Sequence, residues 1–180
     1  MVADLILRDA AEPDLIAVQA IYAHHVAHGT GTFEEEAPDL AEMNRRWREV
    51  RERGFPWLVA EVQGRVVGYS YANWFRARSA YRFTCEDSVY LAPDWRARGV
   101  GTQLLGALLA RCTAAGSRQM LAVIGDSANQ GSVRLHARLG FVPVGTMRDV
   151  GLKLGRWLDV VIMQRTLGEG AGPPPEVPVR

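Results

Sequence analysis

From Ser88 to Thr102 the chain reads Ser-Val-Tyr-Leu-Ala-Pro-Asp-Trp-Arg-Ala-Arg-Gly-Val-Gly-Thr. The pattern is a strand ending at Leu91, a tight basic loop, and a helix beginning near Gly101. A helix start leaves several N–H groups unpaired and carries partial positive charge, so it suits a phosphate. Gly99 and Gly101 let the backbone turn sharply there with no side chain shielding its amides, and Arg96 and Arg98 add full charges beside it. The stretch Arg96, Ala97, Arg98, Gly99, Val100, Gly101 and Thr102 is therefore built to hold a pyrophosphate. A Walker loop is excluded, because Gly101 is followed by Thr102-Gln103 where Lys-Ser/Thr is required. A dinucleotide fingerprint fits only its first half, Gly99-Val100-Gly101, with Asp126 as a candidate acid. Leu104 occupies the place of the third glycine, and Pro93–Arg98 separates strand from glycines.

Just upstream stand two adjacent carboxylates, Glu86 and Asp87. A carboxylate late in a half-buried strand is hard to explain as surface decoration, and burial raises its pKa toward values useful to a base. Strand alternation directs only one of the two inward, either Glu86, which shares a face with Ser88 and Tyr90, or Asp87, and that one is the candidate base. His136 falls between Val133 and Leu139 on a helical wheel, away from Arg134 and Arg138, the usual setting of a packed core histidine. His24 and His28, four apart, have no carboxylate or cysteine at a matching spacing, so no metal is expected.

The elements that must position these groups are read from periodicity. Leu5–Arg8 is a short strand. Leu15, Val18, Ile21 and Tyr22 give one face of a helix ending near Gly29, with Pro13 in its first turn. Glu34–Glu36 reads as a solvated acidic run, and Pro38 or Asp39 opens a second helix to about Arg53. Trp57–Val62 and Val66–Ala72, joined at Gln63-Gly64-Arg65, form an antiparallel hairpin. Trp74–Ser79 interrupts, and a long strand runs from Tyr81 to Leu91. Leu104, Leu105, Leu108, Leu109 and Cys112 make the apolar stripe of a helix to Ala115, and the run Met120–Ile124 is a strand buried on both faces. Asn129 or Ser132 caps a short helix stopping at Gly140. Phe141–Val150 and Trp157–Leu167 are the last strands. The folded domain is residues 1–167, and the Gly/Pro-rich stretch 168–180 is a flexible tail.

A chain of 180 residues, 48% hydrophobic, builds one well-cored domain; its net charge of +1 gives no reason to expect a nucleic acid or acidic membrane partner. Cys85 and Cys112 lack metal-ligand spacing and read as small buried residues in a reducing compartment. With neither a signal-peptide core in Met1–Arg8 nor a membrane-length apolar run, cytoplasmic residence is expected.

The motif R-x-x-G-x-G at Arg96–Gly101 behind a strand resembles the acetyl-CoA loop of GNAT N-acetyltransferases, and the order β-α-α-β-β-β-α-β-α-β-β resembles their fold. Six blocks extend the likeness to the phosphinothricin N-acetyltransferase family, which includes the methionine sulfoximine and sulfone acetylases. They are Gly-Thr-Gly-Thr-Phe-Glu at 29–34, Pro-Trp-Leu-Val-Ala-Glu at 56–61, Arg-Ala-Arg-Ser-Ala-Tyr at 76–81, Glu-Asp-Ser-Val-Tyr at 86–90, Ala-Val-Ile-Gly at 122–125 and Gly-Arg-Trp-Leu-Asp-Val at 155–160. The resemblance implies an α/β GNAT fold: a mixed sheet of about seven strands, about four helices, and an acetyl-CoA cleft where the fourth and fifth strands splay. It further implies direct transfer of acetyl from acetyl-CoA to the α-amino group of a small amino-acid analogue, without metal. In that reading Val89, Tyr90 and Leu91 bond the pantetheine, residues 96–102 the pyrophosphate, and Asn129 the cofactor side. Glu86 is the base, acting through water, and His136 protonates the CoA sulfur or orients the substrate. Arg78, with Arg76 as a weaker candidate, takes the acceptor's carboxylate, while Phe33, Tyr81, Glu86 and Ser88 line its pocket. Lys153 and Trp157 close that pocket or meet a second subunit, since related proteins commonly form homodimers. A protein N-acetyltransferase and a non-catalytic acetyl-CoA sensor are the competing readings.

Overall fold

A computed structural model describes residue 2 and residues 4–173. Its seven strands are β1 (Leu5–Asp9), β2 (Trp57–Val62), β3 (Arg65–Trp74), β4 (Thr84–Leu91), β5 (Gln119–Gly125), β6 (Val142–Lys153) and β7 (Arg156–Thr166). They form one sheet in the order β1-β2-β3-β4-β5-β7-β6. Four helices accompany it: α1 (Leu15–His28), α2 (Leu40–Glu52), α3 (Val100–Ala114) and α4 (Gln130–Arg138).

All neighbouring strands are antiparallel except β4 and β5, which run parallel. That pair meets only at Thr84↔Gln119, Cys85↔Met120 and Glu86↔Leu121 and then diverges. Beyond Glu86, β4 keeps its β3 partner as far as Gly68↔Leu91, and β5 keeps β7 as far as Gly125↔Val160. The edges they turn toward each other have no ladder. Backbone groups left so must find partners elsewhere, and an extended ligand is one way to supply them.

Both faces of the sheet are covered. Tyr69, Tyr71, Trp57 and Tyr90 stack on one another on the α1 side, with Tyr22 of α1 edge-on to Tyr90 at 5.1 Å. On the other side Val100, Leu104, Leu105, Leu108 and Cys112 of α3 are fully buried, and the Ser70 hydroxyl points to the Leu104 carbonyl. Gly68 is needed there: a Cβ on it would stand 2.5 Å from a methyl of Leu91.

Local chemistry sets the boundaries. The Asp39 carboxylate accepts the Glu42 amide at 2.8 Å and starts α2. Gln63 (φ 50°) and Gly64 (φ 77°) make the left-handed two-residue turn of the β2–β3 hairpin. The strand expected from Tyr81 begins only at Thr84. Ser79–Tyr81 is a 3₁₀ turn, closed by the Tyr81 amide on the Arg78 carbonyl. Pro13 sits in a similar turn, Glu12–Asp14, ahead of α1. β6 runs past Val150 to Lys153, with register shifts after Pro143 and Met147 that absorb Val144 and the stretch around the left-handed Asp149. Of the expected tail, Gly168–Ala171 turns back on the fold and Glu169 pairs with Arg118 at 3.1 Å; residues 174–180 lie outside the described residues.

Candidate active site

The divergence of β4 and β5 opens a cleft of about 1140 Å³ that runs from the α1 side of the sheet to the α3 side. Among the residues expected to form a site, Glu86, Ser88, Val89, Tyr90, Leu91, Arg96, Ala97, Gly99, Gly101, Thr102, Asn129 and His136 line it.

At one end lies the anion cradle. Ala97 (φ 58°) and Gly99 (φ 85°) are both left-handed, which turns the loop amides toward a common point, and no side chain caps the first turn of α3. A left-handed alanine carries strain that the surrounding loop must hold. Arg96 faces the cleft. Arg98 instead lies with its guanidinium 5.0 Å from the Trp95 ring, and Val100 is buried in the core. Asn129 both caps α4, accepting the Ser132 amide at 3.3 Å, and lines the cleft. Asp126 accepts from Thr30 at 2.8 Å and from Arg156 at 2.9 Å and ties the 29–34 loop to β7.

Cross-strand partners share a face, and this sorts the carboxylates. Glu86 pairs with Asn73 and Ser88 with Tyr71, on the α1 side. Asp87 pairs with Ala72, on the side of α3 and α4. The expectation that only one of the two faces inward is corrected here: both line the cleft, because helices cover both faces of β4 and the splay opens each of them.

Glu86 makes no hydrogen bond or ion pair with the described residues. Burial, and then the Asp87 charge, push its carboxyl up to about 7, against the pull of Arg76. A base of that proton affinity is half ionised near neutrality. Asp87 and His136 form a buried pair instead, with His136 Nε2 3.0 Å from Asp87 Oδ2 and side-chain exposures of 5% and 2%. His136 Nδ1 lies 2.8 Å from the Ser132 carbonyl oxygen. A carbonyl only accepts, so Nδ1 carries a proton, and a carboxylate opposite Nε2 draws a second. Burial opposes a charge on His136, but the bond to Asp87, its charge and the Ser132 carbonyl hold its pKa above the ordinary histidine value. Neither N–H can serve a leaving thiolate without giving up Asp87 or Ser132.

The remaining acceptor candidates, Phe33, Arg76, Arg78 and Tyr81, are not among the residues that line the cleft. Arg76 lies over the Phe75 ring, Tyr81 is edge-on to Phe75 at 5.7 Å, and Arg78 is exposed at the start of the 3₁₀ turn. Phe33, about a third exposed, rests its ring on Gly125 and Gly151; a Cβ on Gly151 would enter that ring. Lys153 is buried, its Nζ donating to the Thr32 carbonyl at 2.8 Å, whereas Trp157 is 63% exposed.

Some contributors were invisible in one dimension. His25 donates from Nε2 to the Leu91 carbonyl at 2.8 Å, and burial keeps its pKa below the ordinary value, so it is neutral in that role. Its only sequence signal was its place in the last turns of α1. Glu34 is not simply solvated: it accepts from Tyr22 at 2.9 Å and pairs with Arg46 at 2.7 Å. Among the described residues, no three or more His, Cys, Asp or Glu side chains gather as a metal site.

A model described as the acetyltransferase (GNAT) family matches residues 18–141. A phosphinothricin N-acetyltransferase of Alcaligenes faecalis is 52% identical over 94% of this chain and 86% of its own. An L-methionine sulfoximine/L-methionine sulfone acetyltransferase of Pseudomonas aeruginosa is 46% identical over 89% of this chain and 94% of its own. The crystal structure of a phosphinothricin acetyltransferase from Sinorhizobium meliloti in complex with acetyl-CoA superposes with a TM-score of 0.92, at 47% identity and over 96% and 93% of the two chains. A splayed parallel pair with an anion cradle at its mouth and a half-buried carboxylate at its apex thus accompanies sequence identity over nearly the whole length, and the chain belongs to the acetyltransferase (GNAT) family.

Proposed function

We propose that the protein transfers acetyl from acetyl-CoA to the α-amino group of a small amino-acid analogue of the phosphinothricin, methionine sulfoximine or methionine sulfone type. The observation that carries this reading is Glu86: an unpaired, half-buried carboxylate, its pKa pushed up to about 7, at the point where β4 and β5 part.

The residues present fit the cosubstrate. The unladdered edge Val89–Leu91 offers N–H and carbonyl groups to an extended amide chain, and the left-handed loop with the start of α3 offers amides to a pyrophosphate. Acetyl-CoA brings an acetyl group activated as a thioester; the chain supplies proton transfer, charge stabilisation and orientation. Glu86, through a water, takes one proton from the acceptor's ammonium so that nitrogen has a lone pair to attack with. An edge N–H of β4 opposes the negative charge that develops on the thioester oxygen. As the new amide forms, nitrogen gives up a second proton; one of the two ends on sulfur and the other in solvent. His136, with both N–H groups engaged, serves this step by holding Asp87 in place. Arg78 and Arg76 give the acceptor's carboxylate a cationic partner, and Phe33, Tyr81 and Ser88 complete its pocket.

The working unit is a homodimer, because the end of the sheet at β6 leaves Val142, Val144, Met147, Val150 and Leu152 exposed. The free, buried thiols of Cys85 and Cys112 fit a reducing compartment, the cytoplasm.

The test is thiol release from acetyl-CoA over a panel of L-phosphinothricin, L-methionine sulfoximine, L-methionine sulfone, common amino acids and a lysine peptide. Turnover confined to the analogues is expected, and its loss by at least about a hundredfold in Glu86→Gln, with acetyl-CoA still bound. Thiol release with the peptide alone would move the protein to the protein-acetylating class.

A further inference from the structure

The mechanism leaves a buried charge unaccounted for on the far face of β4. Asp87 has one oxygen on His136 Nε2 at 3.0 Å, while its other oxygen, Oδ1, is fully buried and has no partner among the described residues. A buried carboxylate oxygen without a donor is costly and calls for an explanation. His136 cannot neutralise it fully, since the ring lies on one side only. The negative end of the pair is the residue next to Glu86, and the positive end is a side chain farther away on α4. Adjacent residues on a strand point to opposite faces, so Asp87 meets the cleft from the face opposite Glu86. Its charge acts on Glu86 from the neighbouring position of β4, where Glu86 is itself largely buried.

We propose that Asp87, locked in place by His136, is a positioning residue that sets the proton affinity of Glu86, and with it the pH at which acetyl transfer turns on. The proposal rests on the reading of Glu86 as the base. Several charged groups face this pair. From the loop after β3, Arg76 pulls Glu86 toward ionisation. Tyr71 of β3 stands opposite Ser88 on the Glu86 face, with Glu34 and Arg46 beyond it. On the other face the thiols of Cys85 and Cys112 lie within the field of Asp87. From β5 the register partner of Glu86 is Leu121, which carries no charge. Arg76 opposes the effect of Asp87, so among these groups Asp87 is the one that can hold Glu86 near neutrality in concert with burial.

The experiment is the pH profile of kcat/KM for wild type, Asp87→Asn, Asp87→Ser and Glu86→Gln, with acetyl-CoA binding and a cooperative melt as checks on folding. In wild type the rate rises with pH as Glu86 loses its proton. Removing the Asp87 charge makes that proton easier to lose, so the rising limb moves down by about one pH unit in both neutral variants. The serine variant, smaller and neutral, stands in should the asparagine disturb packing around His136. A limb that stays where it was, with activity lowered equally at every pH, would mark Asp87 as structural and overturn the proposal, provided Glu86→Gln is inactive. Full activity in Glu86→Gln would instead remove the base assignment, and the role of Asp87 with it.

Discussion

Ionising Glu86 places a charge where water is scarce and Asp87 is already negative. The same physics that makes it a base at neutral pH makes it a weak point in the fold. Its folded-state pKa of about 7 lies above the ordinary 4.5, so the folded protein holds this proton more tightly than the unfolded chain does. The corresponding stability is fully present below about pH 4.5 and is lost as the pH rises through about 7. By linkage the full effect is about 3 kcal/mol, and partial solvent access trims it to ~2. Glu86→Gln keeps the shape but has no proton to lose. At pH 8 it is expected to melt roughly 5 °C above wild type, with the gap closing by pH 4. Equal melting temperatures at both pH values would show that Glu86 is well solvated in the folded protein. At this scale the sequence was partly legible. Period-two alternation puts Glu86, Ser88 and Tyr90 on one face, and they share it. Asp87 was not given its place, because alternation says which face a residue takes and not whether that face is covered. The partner that fixes it, His136, is 49 positions away in a helix of its own.

The 29–34 loop shows what elements add to residues. Three contacts strap it across the mouth of the cleft: Thr30 to Asp126 at the end of β5, Lys153 of β6 to the Thr32 carbonyl, and the Phe33 ring on Gly125 and Gly151. Phe33 has room only because two strands each present a glycine to it. Gly151→Ala places a methyl inside the ring's present position and must push Phe33 toward the cleft, since the ring is rigid and Gly125 backs it. The expected result is a fall in kcat/KM for the acceptor of about tenfold, with the KM for acetyl-CoA changed less than about twofold. Unchanged acceptor kinetics would mean that Phe33 is no part of the pocket. The helices and central strands behind this loop were readable from periodicity: the α3 stripe lies buried as expected, and β5 spans Gln119–Gly125. The boundaries that moved are those decided by backbone hydrogen bonds rather than by hydrophobicity. Tyr81 is aromatic enough to pass for strand, yet its amide closes a 3₁₀ turn on Arg78. Lys153 is polar enough to pass for loop, yet it extends β6 because its ammonium finds a buried carbonyl at Thr32.

Across the whole molecule the apolar surface is unevenly placed. Residues 142–150, nearly all of β6, are exposed, and the strand is the outer edge of the sheet. Val142, Val144, Met147, Val150, Leu152, Leu154 and Trp157 each expose close to half their surface or more. An unpaired edge this long, with this many apolar side chains against Pro143, Arg148, Asp149 and Lys153, invites a partner strand. Its two register shifts bend the strand, which disfavours open-ended stacking and suits a closed, twofold contact between two copies. The protein is therefore expected to run in light-scattering chromatography at twice the mass of the chain. Val144→Asp combined with Leu152→Asp puts charges into that contact and should yield the single-chain mass, with the melting transition of the domain retained. A dimer that survives both charges would place the interface elsewhere. The readout bears on catalysis as well, because β6 also carries Gly151 and Lys153, the two residues that seat Phe33 and the 29–34 loop. If dimerisation steadies β6, the charged double variant loses acceptor turnover more than acetyl-CoA binding, since the anion cradle of Ala97 and Gly99 is built on α3 and β4, away from that edge.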